Sequence, residues 1–256
     1  MPALGDMISP LSESTTNLSI IPILMYHNID RPPQGAKLRN LYVRTGAFAR
    51  QMFLLRLLGY KGLSMSAAMP YLRGEKQGRV AVITFDDGYV DTLEHALPIL
   101  QKHGFSATCY FISQRVGQYN EWDATKLNVR KHLMNDAQIR TWHTAGMEVG
   151  AHSRTHPRLT GCSDTELQDE ISGSKADLET LIGQPVTQFC YPYGDLDERV
   201  VAATRQASFA AATTVQRGRA RAGDDAMLLR RVLVSGSTMP HLFLLKLLGN
   251  YEDKRG

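Results

Sequence analysis

Val80-Ala-Val-Ile-Thr-Phe-Asp-Asp-Gly88 is an apolar, β-branched run that stops abruptly at two adjacent carboxylates and a glycine. An uninterrupted run of this kind predicts a strand covered on both faces, and Gly88 lets the backbone turn sharply where the sheet ends. The strand therefore delivers Asp86 and Asp87 to its C-terminal edge. Neighbouring carboxylates repel each other, so something nearby must favour the charged forms, and a divalent cation is the most economical candidate.

Further ligands for such a cation stand at the end of another short apolar run, Met147-Glu-Val-Gly-Ala-His-Ser-Arg-Thr-His-Pro157, where His152 and His156 are spaced i and i+4. That spacing also suits one face of a helix, but Gly150 before the pair and Pro157 after it fit a loop at a strand end better. Two histidines and one carboxylate make a borderline-metal site with open positions. Ile20-Ile-Pro-Ile-Leu-Met-Tyr-His27 repeats the pattern of an apolar strand followed by a chemical group. A histidine merely hydrogen-bonded at a strand end is the plain alternative for His27.

Between these runs the periodicity alternates strand and helix, which implies parallel pairing through right-handed crossovers. Thr45 is a plausible N-cap for a helix through Leu58, with Phe48, Met52 and Leu55 as its apolar stripe. Leu93, Ala96, Leu97 and Leu100 form the inner face of the helix after Gly88, where Pro98 kinks it or marks its regular start. Residues 113–133 show no clear period and read as a long connection above the strand ends. Within it Trp122 and Tyr119 could stack on a sugar ring or pin the loop. Asn135 or Asp136 caps the next helix, and Ser163 with Glu166 fits a capping box. Gln216-Arg-Gly-Arg-Ala-Arg-Ala-Gly223 reads as a solvated basic loop rather than a clamp for anionic substrate groups. Leu242 to Leu248 belongs to a short amphipathic helix that could cap the barrel or form a contact.

Thr84-Phe-Asp-Asp-Gly88, His152-Ser-Arg-Thr-His-Pro157 and Tyr191-Pro-Tyr-Gly194 together resemble the first three signature motifs of the polysaccharide deacetylase family. This is the NodB-homology family, or carbohydrate esterase family four, and the likeness extends from about Ile20 to the C-terminus. Met25-Tyr-His27 near the start resembles the circularly permuted poly-N-acetylglucosamine deacetylase branch, where it takes the place of a C-terminal Leu-x-His motif. The resemblance implies an α/β fold, a distorted (β/α) barrel with fewer than eight strands, whose chemistry sits at strand C-termini.

It also implies roles: Asp87, His152 and His156 hold the metal, Asp86 is the base, and the backbone amide of Tyr193 is the oxyanion donor. His27 is the best candidate for the general acid. The widespread motif Arg-Pro-Pro-Tyr-Gly pairs its arginine with the base, whereas this chain reads Cys190-Tyr-Pro-Tyr-Gly194. Arg231 is the candidate substitute, with Arg230 as its neighbour of opposite facing. Zinc is the expected metal, with cobalt, nickel or iron also accepted by such ligands. The expected reaction is removal of N-acetyl groups from a free or lipid-linked glycan. A non-glycan amide or imide hydrolase and a carbohydrate-binding pseudoenzyme are the competing readings.

Composition bounds the rest. A 256-residue chain, 43% hydrophobic and 21% charged, suits one globular domain, expected over residues 19–256 behind a flexible arm at 1–18. The N-terminus lacks the basic start and apolar core of a secretory signal, which favours a cytoplasmic location. Cys109, Cys162 and Cys190 give neither a disulfide framework nor a zinc knuckle. A net charge of +4 without aromatic residues in a basic stripe argues against nucleic acid and leaves contact with a membrane surface open. Oligomeric state cannot be read from these features.

Overall fold

A computed structural model describes residues 20–256; the arm expected at 1–18 lies outside them. The strands are β1 (Ile20–Ile21), β2 (Ile23–Tyr26), β3 (Lys61–Leu63), β4 (Val80–Phe85), β5 (Thr108–Phe111), β6 (Glu148–Ala151), β7 (Gln188–Cys190), β8 (Ala211–Arg217), β9 (Ala220–Arg221) and β10 (Leu229–Leu233). Seven of them close a parallel ring in the order β2-β10-β8-β7-β6-β5-β4, with β4 returning to β2. β2, the first strand of the ring, thus sits between the last strand and the strand that leads into Asp86 and Asp87.

β3 is left outside this ring. Residues 80–82 of β4 pair with β3, while Thr84 and Phe85, further along, pair with β5. One strand edge is shared by two neighbours, so the barrel is distorted there. The short β1 pairs with β9 in antiparallel fashion.

Around the ring lie α1 (Thr45–Leu57), α2 (Met65–Leu72), α3 (Leu97–His103), α4 (Glu121–Leu127), α5 (Asp136–Thr144), α6 (Asp164–Gln168), α7 (Ser174–Ile182), α8 (Glu198–Gln206) and α9 (Pro240–Leu248). None of these helices is long and apolar enough to cross a membrane.

Two apolar layers result from the alternation of side chains along each strand. Ala81, Ile83 and Phe85 point outward into the layer shared with α1, α3 and α5. Val80 and Val82 point inward, into a second cluster with Tyr110, Cys190 and Leu229 that α2 closes with Met65, Met69 and Leu72. The inward phase continues through Thr84 to Asp86, both buried. On β10 it runs from Leu229 to Arg231, which is fully buried, while Arg230 is exposed.

Several local expectations need correcting. Thr45 is the first residue of α1 rather than its cap; Arg44 occupies the cap position, and the Thr45 hydroxyl donates to the Ile29 carbonyl at 3.4 Å. The connection at 113–133 contains α4, a helix too short to show a period. A π-helical turn at Thr92–Ala96 precedes α3, so Pro98 marks the regular start of that helix. Asn135 and Ser163 both form capping boxes, with Gln138 and Glu166.

The basic stretch is not a solvated loop. It continues β8 and forms β9, and its arginines turn back on the C-terminal segment. Arg217 grips the fully buried Glu252 with two bonds of 2.7 Å, and Arg219 pairs with Asp253 at 2.7 Å. Two of its three arginines are thus paired inside the chain, while Arg221 stays exposed. α9 covers the wall with Phe243 and Leu247 and leaves Leu245 and Leu248 exposed.

Gly150 on β6 marks a close approach inside the barrel. A Cβ there would lie 2.5 Å from the Tyr110 ring, although the backbone is not left-handed. Gly150→Ala should therefore lower stability by about 1–3 kcal/mol despite removing a flexible glycine. Thermal unfolding checks this, and an unchanged or raised Tm would mean that the Tyr110 ring is free to move.

Candidate metal centre

The site is assembled where β2, β4, β6 and β7 end. His152 directly follows β6, and its amide bonds the Phe111 carbonyl on β5 at 2.9 Å. Ser153 and His156 then adopt left-handed φ of 62° and 69°, and the Ser153 hydroxyl accepts the His156 amide at 3.0 Å. This curls the loop so that both imidazoles face inward. Asp87 is also left-handed, at 74°, which turns its carboxylate toward them. Non-glycine residues pay for that conformation, and such residues gather at functional sites.

The donors converge. Asp87 Oδ1 lies 3.6 Å from His152 Nε2 and 3.7 Å from His156 Nε2, and the two Nε2 atoms are 3.3 Å apart. Bonds of about 2.0–2.1 Å to a tetrahedral zinc place its donors roughly 3.4 Å apart, so the three groups fit a cation of that size. The donor chemistry agrees. His152 Nδ1 lies 2.7 Å from the Cys190 carbonyl, which requires it to donate; burial opposes a charge on this ring, but Cys190 and Asp87 outweigh it and raise the imidazole above its ordinary range, so a cation at Nε2 would displace a proton there. Burial, reinforced by the neighbouring His152, pushes His156 down to about 3, so it is neutral and can donate a lone pair. Burial opposes ionisation of Asp87, but the adjoining imidazoles outweigh it and hold the carboxyl below its ordinary range.

A second group of potential ligands, Asp86, His152 and Cys190, also lies close together. It is disfavoured because Asp86 is already engaged. Arg231 Nη1 and Nη2 bond its two oxygens at 2.7 and 2.8 Å, and both residues are buried. The remaining guanidinium hydrogens reach the Thr214 carbonyl at 2.8 Å, Thr84 Oγ1 at 3.2 Å and Cys190 Sγ at 3.2 Å. All five N–H donors of Arg231 thus have acceptors. Burial again opposes the charge on Asp86, and the Arg231 guanidinium overrides it and lowers the carboxyl. His27 Nε2 stands 3.8 Å from Asp86 Oδ2.

Tyr193 lies in the turn after β7 with φ of 59°, and its ring meets the His156 ring edge-on at 4.4 Å. The structure brings Asp86, Asp87, His27, His152, His156, Tyr193 and Arg231 together at one barrel end.

It also separates the two aromatics of the long connection. Trp122, on α4, lies 4.8 Å from the His156 ring and roofs the centre. Tyr119 instead bridges to His132 and carries the Arg130 guanidinium at 4.7 Å, so it pins the segment. Asp91 went unnoticed in the sequence. Its Oδ1 accepts the Ile29 amide at 2.9 Å and its Oδ2 meets Lys131 at 2.7 Å, tying the turn after His27 to the segment after α4. An acid one helical turn beyond Asp87 was the available signal.

The polysaccharide deacetylase family model matches residues 73–212, a span that includes Asp86, Asp87, both histidines and the Tyr193 turn. The chain belongs to the polysaccharide deacetylase family. YxkH of Bacillus subtilis (strain 168), which carries a polysaccharide deacetylase name, is 30% identical over 84% of this chain and 71% of its own length. The poly-beta-1,6-N-acetyl-D-glucosamine N-deacetylase of Staphylococcus aureus (strain MRSA252) is 22% identical over 80% of this chain and 72% of its own. A crystal structure of a polysaccharide deacetylase from Bacillus cereus superposes with a TM-score of 0.77 and 28% identity, covering 90% of this chain and 69% of that one. All three of these matches extend well beyond the family model and so take in more of the barrel.

In this deacetylase, removing the arginine leaves a buried carboxylate without its counter-charge. Arg231→Met should cost about 3–5 kcal/mol of unfolding free energy in a urea titration. A loss below about 1 kcal/mol would mean that Asp86 is compensated by something else.

Proposed function

We propose that the chain is a metal-dependent hydrolase that removes N-acetyl groups from an acetamido sugar in a polysaccharide or its precursor. The observation that carries this reading is the convergence of Asp87, His152 and His156 beside a separate carboxylate, Asp86, that is held ionised by Arg231. Membership of the family and the names of the relatives support the substrate class. Asp87, His152 and His156 would hold the divalent cation, with zinc favoured by the two-nitrogen, one-oxygen donor set and cobalt, nickel or iron accepted. When bound, that cation supplies a water of lowered pKa and polarises the amide carbonyl.

The residues of the chain provide the rest. Asp86 takes the proton from the attacking water. Its bonds to Arg231 keep it ionised at neutral pH, and each carboxylate oxygen retains a further lone pair for that proton. The backbone amide of Tyr193 donates to the oxygen that becomes negative as the carbonyl is attacked. His27, at one side of Asp86, gives a proton to the departing amine, so the sugar nitrogen leaves neutral. Trp122 limits water access over His156 and presents a ring face near the sugar.

Acetate release from N-acetylated glycans, assayed after metal stripping and reconstitution with zinc, tests the proposal. Asp86→Asn should retain zinc while kcat falls by about 10²–10⁴-fold, the range for losing a general base. Near-normal turnover in that variant would remove Asp86 from the role. His27→Ala should lose a comparable factor in kcat while retaining zinc; near-normal turnover would assign the acid elsewhere. His156→Ala should fail to hold stoichiometric zinc, and full occupancy by metal analysis would indicate another ligand set.

A further inference from the structure

The loop that carries both histidines is gripped from outside the metal centre by a single carboxylate. Glu170 Oε2 accepts the Arg154 amide at 2.8 Å and the Thr155 amide at 2.9 Å, while Oε1 accepts the Thr155 hydroxyl at 2.5 Å. Consecutive amides beside a left-handed residue, here Ser153, form a concave nest that favours negative charge. Glu170 fills the nest between His152 and His156.

Its placement depends on a local irregularity. Glu170 lies in a π-helical turn, Asp169–Gly173, inserted between α6 and α7. The wider turn changes the angle at which side chains leave the helix, and such turns recur at functional sites. Asp169 of the same turn, together with Asp177 of α7, clamps the Arg154 side chain of the loop. Arg154 bonds Asp177 twice at 2.9 Å and Asp169 once at 2.5 Å, and Ser113 at the end of β5 completes the Asp177 shell at 2.7 Å. A Cβ on Gly173 would stand 2.5 Å from Arg154 Nε, so the bare backbone of that residue is what admits the guanidinium.

From this arrangement we infer that Glu170 is a positioning residue for the metal centre. Its carboxylate over-determines the backbone at Arg154 and Thr155, and so fixes the left-handed turns at Ser153 and His156 that set the Nε2–Nε2 separation. Without it, the loop relaxes from its costly conformation and the two imidazoles no longer converge. The inference rests on the metal-site reading above, and it adds to the ligand set a residue that touches neither metal nor substrate. Outer partners of this kind typically change metal affinity by about 10–100-fold.

The test is zinc affinity, measured by competition with a chromophoric chelator, in the wild-type chain, Glu170→Ala and Glu170→Gln. Thermal unfolding with and without zinc is recorded for each. Glu170→Ala should bind zinc at least 10-fold more weakly and show a smaller zinc-induced rise in Tm. Glu170→Gln, which keeps one acceptor oxygen but not the charge, should fall between Ala and wild type. A purely structural role would lower the metal-free Tm while leaving the zinc-induced rise unchanged, and that result overturns the inference. So does affinity within twofold of wild type in Glu170→Gln, which decides the matter if Glu170→Ala does not fold. Failure of the wild-type chain itself to bind zinc would overturn the metal-site reading first.

Discussion

The interaction on which the site depends is the buried Asp86–Arg231 pair, which spans the barrel where its ends meet. Asp86 follows β4 and Arg231 lies on β10, and β2 is hydrogen-bonded to both strands. Taking two charges out of water costs several kcal/mol per ion, and only excellent geometry recovers it. Here the fork of the guanidinium matches the carboxylate, and every other donor of Arg231 is satisfied by Thr84, Thr214 or Cys190. A lysine could not reproduce that pattern, because its ammonium offers three donors from one point. The small side chain of Cys190 is part of the same solution. It stands where the widespread family motif has its arginine, and it leaves room for a guanidinium arriving from β10 instead.

Strain forms the second constraint, and it is concentrated where donors must converge. Asp87, Ser153, His156 and Tyr193 all have positive φ without being glycine. Each costs free energy that the unfolded chain does not pay, so the surrounding structure must hold it. For Ser153 and His156 the support is visible as the Ser153 hydroxyl, the Glu170 carboxylate and the Arg154 clamp. Asp87 is held differently, between buried Asp86 and Gly88, whose own positive φ brings its backbone close to Phe111. The histidine loop is therefore held by side-chain bonds rather than by regular helix or strand pairing.

Much of this was legible in the sequence because the informative residues are contiguous. Val80 to Gly88 shows strand, phase and chemistry at once, and the strand–helix alternation implies a parallel barrel. The Ser163–Glu166 capping box could be read from four residues. What escaped was non-local or short. The left-over position of β3 follows from how β4 divides one edge between two neighbours, which no single segment encodes. The fate of Arg217 and Arg219 was set by Glu252 and Asp253, more than thirty residues downstream. The helix at Glu121–Leu127 is two turns long, below the length at which an apolar period stands out. Glu170 lay unseen because its role depends on a π-turn, which shifts the helical register that a periodicity argument assumes.

The adjacency of Asp86 and Asp87 poses the problem that the fold resolves. In a regular strand consecutive side chains point to opposite faces, and Asp86, in phase with Val82 and Thr84, enters the barrel and meets Arg231. Continued strand geometry would send Asp87 outward into the apolar layer with Ile83 and Phe85. The left-handed turn at Asp87 prevents that by ending the strand one residue early and swinging the carboxylate toward the histidines. Each acid then has its own compensation, a guanidinium for one and the imidazole cluster for the other. Neither must share a proton with its neighbour, so two carboxylates adjacent in sequence stay ionised together at neutral pH. That independence gives the two acids different surroundings, and it arises from one backbone dihedral.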